Sequence, residues 1–361
     1  MEGNGRLLFY PLRACLPSAG CRRCVSMNSI SRRTFIGTTA GAMSAGSIAS
    51  VSVPGLTSTS AGAETLPKPE KPKDIRVGLL TAPLRDLPFE EVLNMARRCN
   101  IAALEVVTEP GHPHIDPTTL TPAQAEGIKQ KLGERRLEIS ALSNFMNITA
   151  PEKAGEVQQA ILKTIDAAAL LGVPTVCMNL GAPVQGMSKI DTIKKVIPGL
   201  FRPIIDHAKE KGIKVAVENW FETCLQGLDT FDCLMETIPD ENFGFNYDPS
   251  HLVFQQCDYT VPVTRFGKRI FHTHAKDCLV DEQQRAYLGV LGGKWYAGAA
   301  GGGWWRYVIP GFGDIKWGRY IGLLREVGYK GVLSIEHEDS TFGPEEGFRH
   351  GATFLNPFCN G

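Results

Sequence analysis

The chain has 361 residues, 38 Lys/Arg against 38 Asp/Glu for a net charge of +0, and 43% hydrophobic residues. An even charge balance leaves no electrostatic footprint for nucleic acid, and this apolar content argues against intrinsic disorder.

Residues 1–63 differ in kind from the rest, being rich in Ser, Gly, Ala and Thr, with Glu2 their only acid. Within them Ser31-Arg-Arg-Thr-Phe-Ile36 leads into a weakly apolar run from Ile36 to Val53, and Ala61-Gly-Ala63 offers small residues for cleavage. Twin arginines, a softened apolar stretch and an AxA site resemble a twin-arginine (Tat) export signal, which implies a periplasmic destination. The competing reading is a basic tail. Met27, just upstream of the arginines, is an alternative start. The apolar run is too short and too polar for a stable membrane span. Cleavage after Ala63 removes six of the 38 Lys/Arg and one of the 38 Asp/Glu, leaving a mildly acidic chain with no call for a polyanionic partner. Of ten cysteines, Cys99, Cys177, Cys224, Cys233, Cys257, Cys278 and Cys359 remain, odd in number and free of CxxC spacing. No disulfide framework is expected from them.

Residues 64–73 (ETLPKPEKPK) form a Pro/Lys linker. From there to residue 358 short apolar runs alternate with helix-period segments. Strands are expected at 75–80, 101–107, 137–143, 175–180, 214–219, 243–248, 270–275 and 332–336, with helices such as 89–98, 154–171, 189–211 and 317–327. Eight strands alternating with helices predict an α/β fold, a single-domain (β/α)8 TIM barrel over 74–358. A doubly wound sheet is the rival, but TAPLRDLP after the first strand is not the Gly-rich phosphate turn it would use. The connection after strand seven is unusually long and contains the Gly/Trp-rich stretch 289–313. Trp295, Trp304 and Trp305 within it suggest a lid that packs.

Active sites of parallel barrels form at the carboxyl ends of the strands. Strand five ends at Glu218, strand six at Asp248, strand seven at His274 and strand eight at Glu336. The period-two rule puts Glu218 with Ala216, Asp248 with Asn246 and Gly244, and Glu336 with Ser334, opposite apolar faces. All three carboxylates are thus expected to point inward. Three carboxylates and one imidazole make a hard, mostly oxygen site, suited to one divalent ion: Mn²⁺ or Mg²⁺, with Co²⁺ or Zn²⁺ as alternatives. Such an ion polarises a carbonyl and acidifies the adjacent C–H.

The strings VAVENW (215–220), NYDPSH (246–251), HTHAKD (272–277), PGFGDIKW (310–317) and LSIEHED (333–339) resemble the xylose-isomerase-like barrel superfamily of sugar isomerases and epimerases. That resemblance implies Glu218, Asp248, His274 and Glu336 as metal ligands, with Glu218 and Glu336 doubling as the acid/base pair. It also implies that His251 and Arg306 bind substrate. The stretch VENWFETC lacks the further Glu and the Asn-Arg pair that ketose 3-epimerases carry after the strand-five Glu.

Other polar candidates are Asn144 and Asn179, as donors to substrate hydroxyls, and Glu105, either lining the pocket or structural. His112 and His114 sit in a loop as rim contacts, and Lys276 shares a strand face with His274. His272 is expected one layer below His274, and Asp277 is expected to fix the tautomer of a neighbouring histidine.

The expected activity is carboxylate proton abstraction beside a metal-polarised carbonyl, isomerising or epimerising a small carbohydrate. An exported enzyme meets few sugar phosphates, so an unphosphorylated sugar or keto-sugar is expected, with the tryptophans of the lid stacking on its ring. The same site used for β-elimination would give a lyase acting on a keto-glycoside. A non-catalytic sugar-binding barrel is the alternative of another class. No nucleic-acid partner is expected, and a homo-oligomer is left open.

Overall fold

The structure, a computed structural model, describes residues 75–291 and 303–359. The expected export signal, the linker and Trp295 lie outside the described residues. Among the described residues no helix is long and apolar enough to cross a membrane.

Eight parallel strands close into a barrel: β1 (Arg76–Leu80), β2 (Ala103–Val107), β3 (Glu138–Asn144), β4 (Thr175–Asn179), β5 (Lys214–Glu218), β6 (Phe243–Tyr247), β7 (Ile270–Ala275) and β10 (Val332–Ile335). The ring is closed by β1, which pairs with β2 on one side and β10 on the other. Helices α1 (Phe89–Arg98), α2 (Pro122–Arg135), α3 (Ala154–Leu171), α4 (Lys189–Lys195), α5 (Ile197–Glu210) and α6 (Leu228–Thr237) alternate with these strands. They are joined by α10 (Trp317–Glu326) and α11 (Pro344–Cys359). The barrel is therefore the (β/α)8 fold that the alternation predicts.

Local chemistry sets these elements. Thr121 and Gln124 form a reciprocal capping box that starts α2, and Gly172, at φ +73°, ends α3 in the left-handed conformation that costs glycine nothing. The helix expected over 189–211 is broken at Val196 into α4 and α5. Pro198, in the first turn of α5, lacks an amide proton and crowds the backbone before it. Inside the ring the side chains are small or polar: Ala141, Cys177 and Ala216 pack together. At Gly244 a Cβ would run into the carbonyl oxygen of Arg269. The large apolar side chains face outward, where helices cover them.

The long connection after β7 departs from a simple loop. It begins at once with β8 (Asp277–Val280), continues through α9 (Glu282–Leu288) and returns as β9 (Trp305–Val308), antiparallel to β8 with Val280 opposite Trp305. Trp304 and Trp305 are each only 4% exposed and pack with Phe254, Cys278 and Tyr307. The expectation that they stack on a sugar ring is therefore corrected: their surfaces are spent on anchoring the hairpin. The short helices α7 (Ser250–Val253) and α8 (Val261–Phe266) follow β6.

Candidate active site

Strand register brings the four expected ligands together. Glu218 ends β5, Asp248 follows β6 directly, His274 lies near the end of β7, and Glu336 follows β10. One ligand atom from each lies within 4.8 Å of all the others. His274 Nδ1 is 3.0 Å from Glu218 Oε1, 2.9 Å from Glu336 Oε2 and 3.9 Å from Asp248 Oδ2. Its Nε2 faces Glu105 Oε2 at 3.1 Å, so Nδ1 is the nitrogen turned to the carboxylates. Asp248 Oδ1 accepts from the Ser250 amide, whereas its buried Oδ2 makes no hydrogen bond, although Lys276 Nζ lies 3.3 Å away. Buried carboxylates drawn this close together need positive charge among them, and Lys276 supplies a single one. Three converging carboxylates and an imidazole nitrogen fit a divalent ion.

The protonation pattern points the same way. Burial pushes Glu218 up to about 7, helped by the charge of Glu336. Burial also works to raise Glu336, but the Lys276 ammonium and His274 overcome it and hold that carboxyl well below its ordinary range. Asp248 is raised, mainly by burial. His274 is raised well above the ordinary histidine value because Glu105, Glu336 and Glu218 outweigh its desolvation. Without an ion, protons and Lys276 do the neutralising.

Above this cluster opens a cavity of about 230 Å³ lined by Leu80, Phe145, Asn179, Trp220, His251, Lys276, Tyr307 and Glu338, together with Glu218 and Glu336. A larger hollow of about 650 Å³, between α5 and the turn after α6, contains none of the ligand-type clusters found among the described residues. His251, on α7, turns Nε2 toward Asp248 Oδ2 (3.4 Å) and Glu218 Oε1 (3.6 Å). Burial and the nearby Lys276 hold it well below the ordinary histidine value, so it is neutral. Asn179 borders the cavity with an Oδ1 that has no partner.

Other expectations are corrected. Asn144 faces the helix layer, donating toward Thr108 O and Thr164 Oγ1, because its neighbour Ser143 takes the inward position and bonds Glu105. Arg306 lies beside Asp339 Oδ1 at 3.5 Å and does not line the cavity; on β9 the alternation turns Tyr307 inward instead. Asp277 touches no histidine in its hydrogen bonds. It accepts from the Gly311, Ile315 and Cys278 amides and from Trp317 Nε1, tying down the hairpin. Glu105 is fully buried beneath His274 rather than in the cavity. Held to about 2 because His274 and His272 overcome its desolvation, it is an anionic support for the His274 ring. His112 and His114 pack against each other and Phe89, away from the cavity. His272 lies below, bonded to Ser140 and Asn246.

The site contains Lys276, expected on the strand face of His274, and also residues that the strand-end reasoning passed over: Glu338, Tyr307, Trp220 and Phe145. Lys276 Nζ is 2.7 Å from Glu336 Oε2 and 3.4 Å from Glu338 Oε2. The period-two step that leads from 274 to 276, taken from 336 to 338, would have found Glu338.

The chain is similar to known proteins in sequence and in fold. The chain is 29% identical to the uncharacterized protein YfiH of Bacillus subtilis over 304 residues, 76% of this chain and 96% of that one. It is 27% identical to an inosose dehydratase of Clostridium perfringens over 235 residues, covering 60% of this chain and 75% of that one. Among solved structures, the IOLI protein with a bound zinc atom superposes with a TM-score of 0.62 at 17% identity, over 79% of this chain and 98% of that one. A D-psicose 3-epimerase superposes with a TM-score of 0.59 at 15% identity, over 79% and 100%. These two likenesses speak for the fold. The Xylose isomerase-like TIM barrel family matches residues 93–358, and the chain belongs to it.

Proposed function

We propose that the protein is a divalent-metal-dependent enzyme that moves a proton at the carbon beside a carbonyl, isomerising or epimerising an unphosphorylated sugar or keto-sugar. The observation that carries this reading is the placement of Glu218 and Glu336, both about one hydrogen-bond length from His274 Nδ1 and both facing the one cavity. Held by Glu218, Asp248, His274 and Glu336, a divalent ion would supply Lewis-acid polarisation of the carbonyl. Glu336, beside the Lys276 ammonium, is the base, and Glu218, which lines the same cavity, is the matching acid. The Lys276 ammonium stabilises negative charge developing on the substrate oxygen, while His251 and Asn179 hold hydroxyls.

A cavity of about 230 Å³ suits a single sugar ring, being below the roughly 300–1,000 Å³ of drug-sized pockets. Among the described residues its lining offers a phosphate no arginine and one lysine, Lys276, which is already beside Glu336 and Glu338. Export by the Tat route to the periplasm agrees with that choice, and cell fractionation tests it. The test of the chemistry is solvent-deuterium incorporation into free sugars and 3-keto-glycosides, followed by NMR with Mn²⁺ or Mg²⁺ added. Glu336→Gln should lower exchange by at least about 1,000-fold; retained exchange removes Glu336 as the base.

β-Elimination, making the protein a lyase, is the second reading, supported by the likeness to inosose dehydratases. Both readings begin with the same proton abstraction. An unsaturated product would decide for elimination, an interconverted sugar for isomerisation.

A further inference from the structure

We propose that Tyr307, delivered by the β8–β9 hairpin, is the positioning residue that fixes His251 with its proton on Nε2, facing the carboxylates and the cavity. The substrate-holding part given to His251 rests on the function proposed above; the ring geometry does not.

The hairpin is built to place this residue. Trp305 stacks on Phe254 with ring centroids 3.9 Å apart and planes within 8°. Phe254 directly follows α7, the short helix that carries His251, so hairpin and helix share one apolar cluster. From that anchor Tyr307, 4% exposed, brings its hydroxyl to 2.6 Å from His251 Nδ1. The two rings meet edge to face at 83°. The opposite nitrogen, Nε2, looks onto Asp248 Oδ2 and Glu218 Oε1 at 3.4 and 3.6 Å.

In the 2.6 Å contact the phenol is the stronger donor and the imidazole nitrogen the stronger acceptor, so the Tyr307 hydroxyl donates to Nδ1. The ring proton is then on Nε2. This contact involves none of the carboxylates, so it keeps the Nε2 proton directed into the cavity, as a donor to a substrate oxygen, whether or not a cation occupies them. The same tyrosine ring lies under Lys276 Nζ at 4.4 Å, within cation–π range. One residue of the insertion thus supports both neutral and charged donors facing the substrate.

The test uses the full chain loaded with Mg²⁺, a diamagnetic ion, and ¹⁵N-labelled histidine, with His251 assigned by His251→Gln. In the wild type, NMR should show a protonated Nε2 and an unprotonated Nδ1 at His251. In Tyr307→Phe, which keeps the ring and its packing, that tautomer should lose its dominance while Mg²⁺ affinity stays within about twofold. Turnover in the deuterium-exchange assay should fall about tenfold, the equivalent of one hydrogen bond, with KM nearly unchanged. In a His251→Gln background the tyrosine substitution should cost nothing further, since it acts through His251. A wild-type His251 protonated at Nδ1, or a tautomer indifferent to Tyr307→Phe, overturns the proposal whatever the substrate proves to be. Absence of exchange with every sugar, combined with the expected tautomer, would count against the proposed function and leave this assignment standing. Should Tyr307→Phe fail to fold, the wild-type spectrum alone still decides the tautomer.

Discussion

Two polar layers lie one beneath the other inside the barrel, and each offers a set of metal-type ligands. The upper has Glu218, Asp248, His274 and Glu336; the lower has Glu105, Cys177 and His272. Each pairs a histidine with at least one carboxylate deep in the barrel, the lower set having a thiol where the upper has further carboxylates. They differ in how their atoms are satisfied. Below, Glu105 accepts from Ser143 and His274, while His272 is bonded to Ser140 and Asn246. Burial pushes the Cys177 thiol well above its usual range, which keeps it a protonated, poor ligand. Above, two glutamates crowd one imidazole nitrogen and Asp248 Oδ2 has no hydrogen bond. Ligand-like residues occur in both layers; what marks the upper one is that three carboxylates converge at the cavity and share one imidazole nitrogen and one lysine.

The sharpest way to break that comparison is to remove a group from each layer. Asp248→Asn should weaken divalent-ion binding, followed by titration calorimetry, by more than about 100-fold. The metal-free protein should melt little lower, because an amide oxygen still accepts from the Ser250 amide and Lys276 keeps Glu336 as its partner. A metal-free melting point several degrees down would make Asp248 a structural group. Glu105→Gln should behave differently. It should cost about 10–100-fold in metal affinity by loosening the His274 ring. It should also destabilise the metal-free protein by about 3 kcal/mol, since His274 and His272 lose the anion between them. Loss of affinity without loss of stability would place Glu105 in the upper layer after all.

This contrast explains what the sequence disclosed. Glu218, Asp248, His274 and Glu336 were legible because a parallel barrel points the ends of its strands at one place, and period two says which side chains face in. The closed barrel was legible from the same alternation. Asn144 was misjudged because standing just after a strand end does not turn a side chain inward; Ser143, the last residue of the expected strand, takes the inward face and bonds Glu105. Arg306 and Tyr307 differ by one position on β9, a strand that the long connection does not announce and whose pairing with β8 fixes which residue turns inward. Asp277 sits next to a strand-end motif yet spends its oxygens on backbone amides more than thirty positions away. Such partners follow from tertiary packing and cannot be read from local spacing.

The lower layer's own histidine gives the smallest and most diagnostic effect. His272 is two positions before the ligand on the same strand, yet burial, with the nearby His274 adding to it, lowers its pKa to about 4 against the pull of Glu105. The folded protein therefore binds a proton here less readily than the unfolded chain, whose histidine titrates near 6.5. Between about 6.5 and 4 the unfolded state carries the extra proton, so stability rises with pH across that window. The contribution is complete above the unfolded value and is lost as pH falls through the folded one. It amounts to at most about 3 kcal/mol, from the size of the shift. His272→Gln should lower the stability of the metal-free protein at pH 7 by about 1–3 kcal/mol, through the bonds to Ser140 and Asn246, while flattening its loss between pH 6.5 and 4. Metal affinity at pH 7 should stay within about threefold of the wild type, a smaller change than an outer-shell partner makes. Urea melts at several pH values measure the first two effects, and calorimetry the third. A metal affinity that fell as far as in Glu105→Gln would merge the two layers into one site.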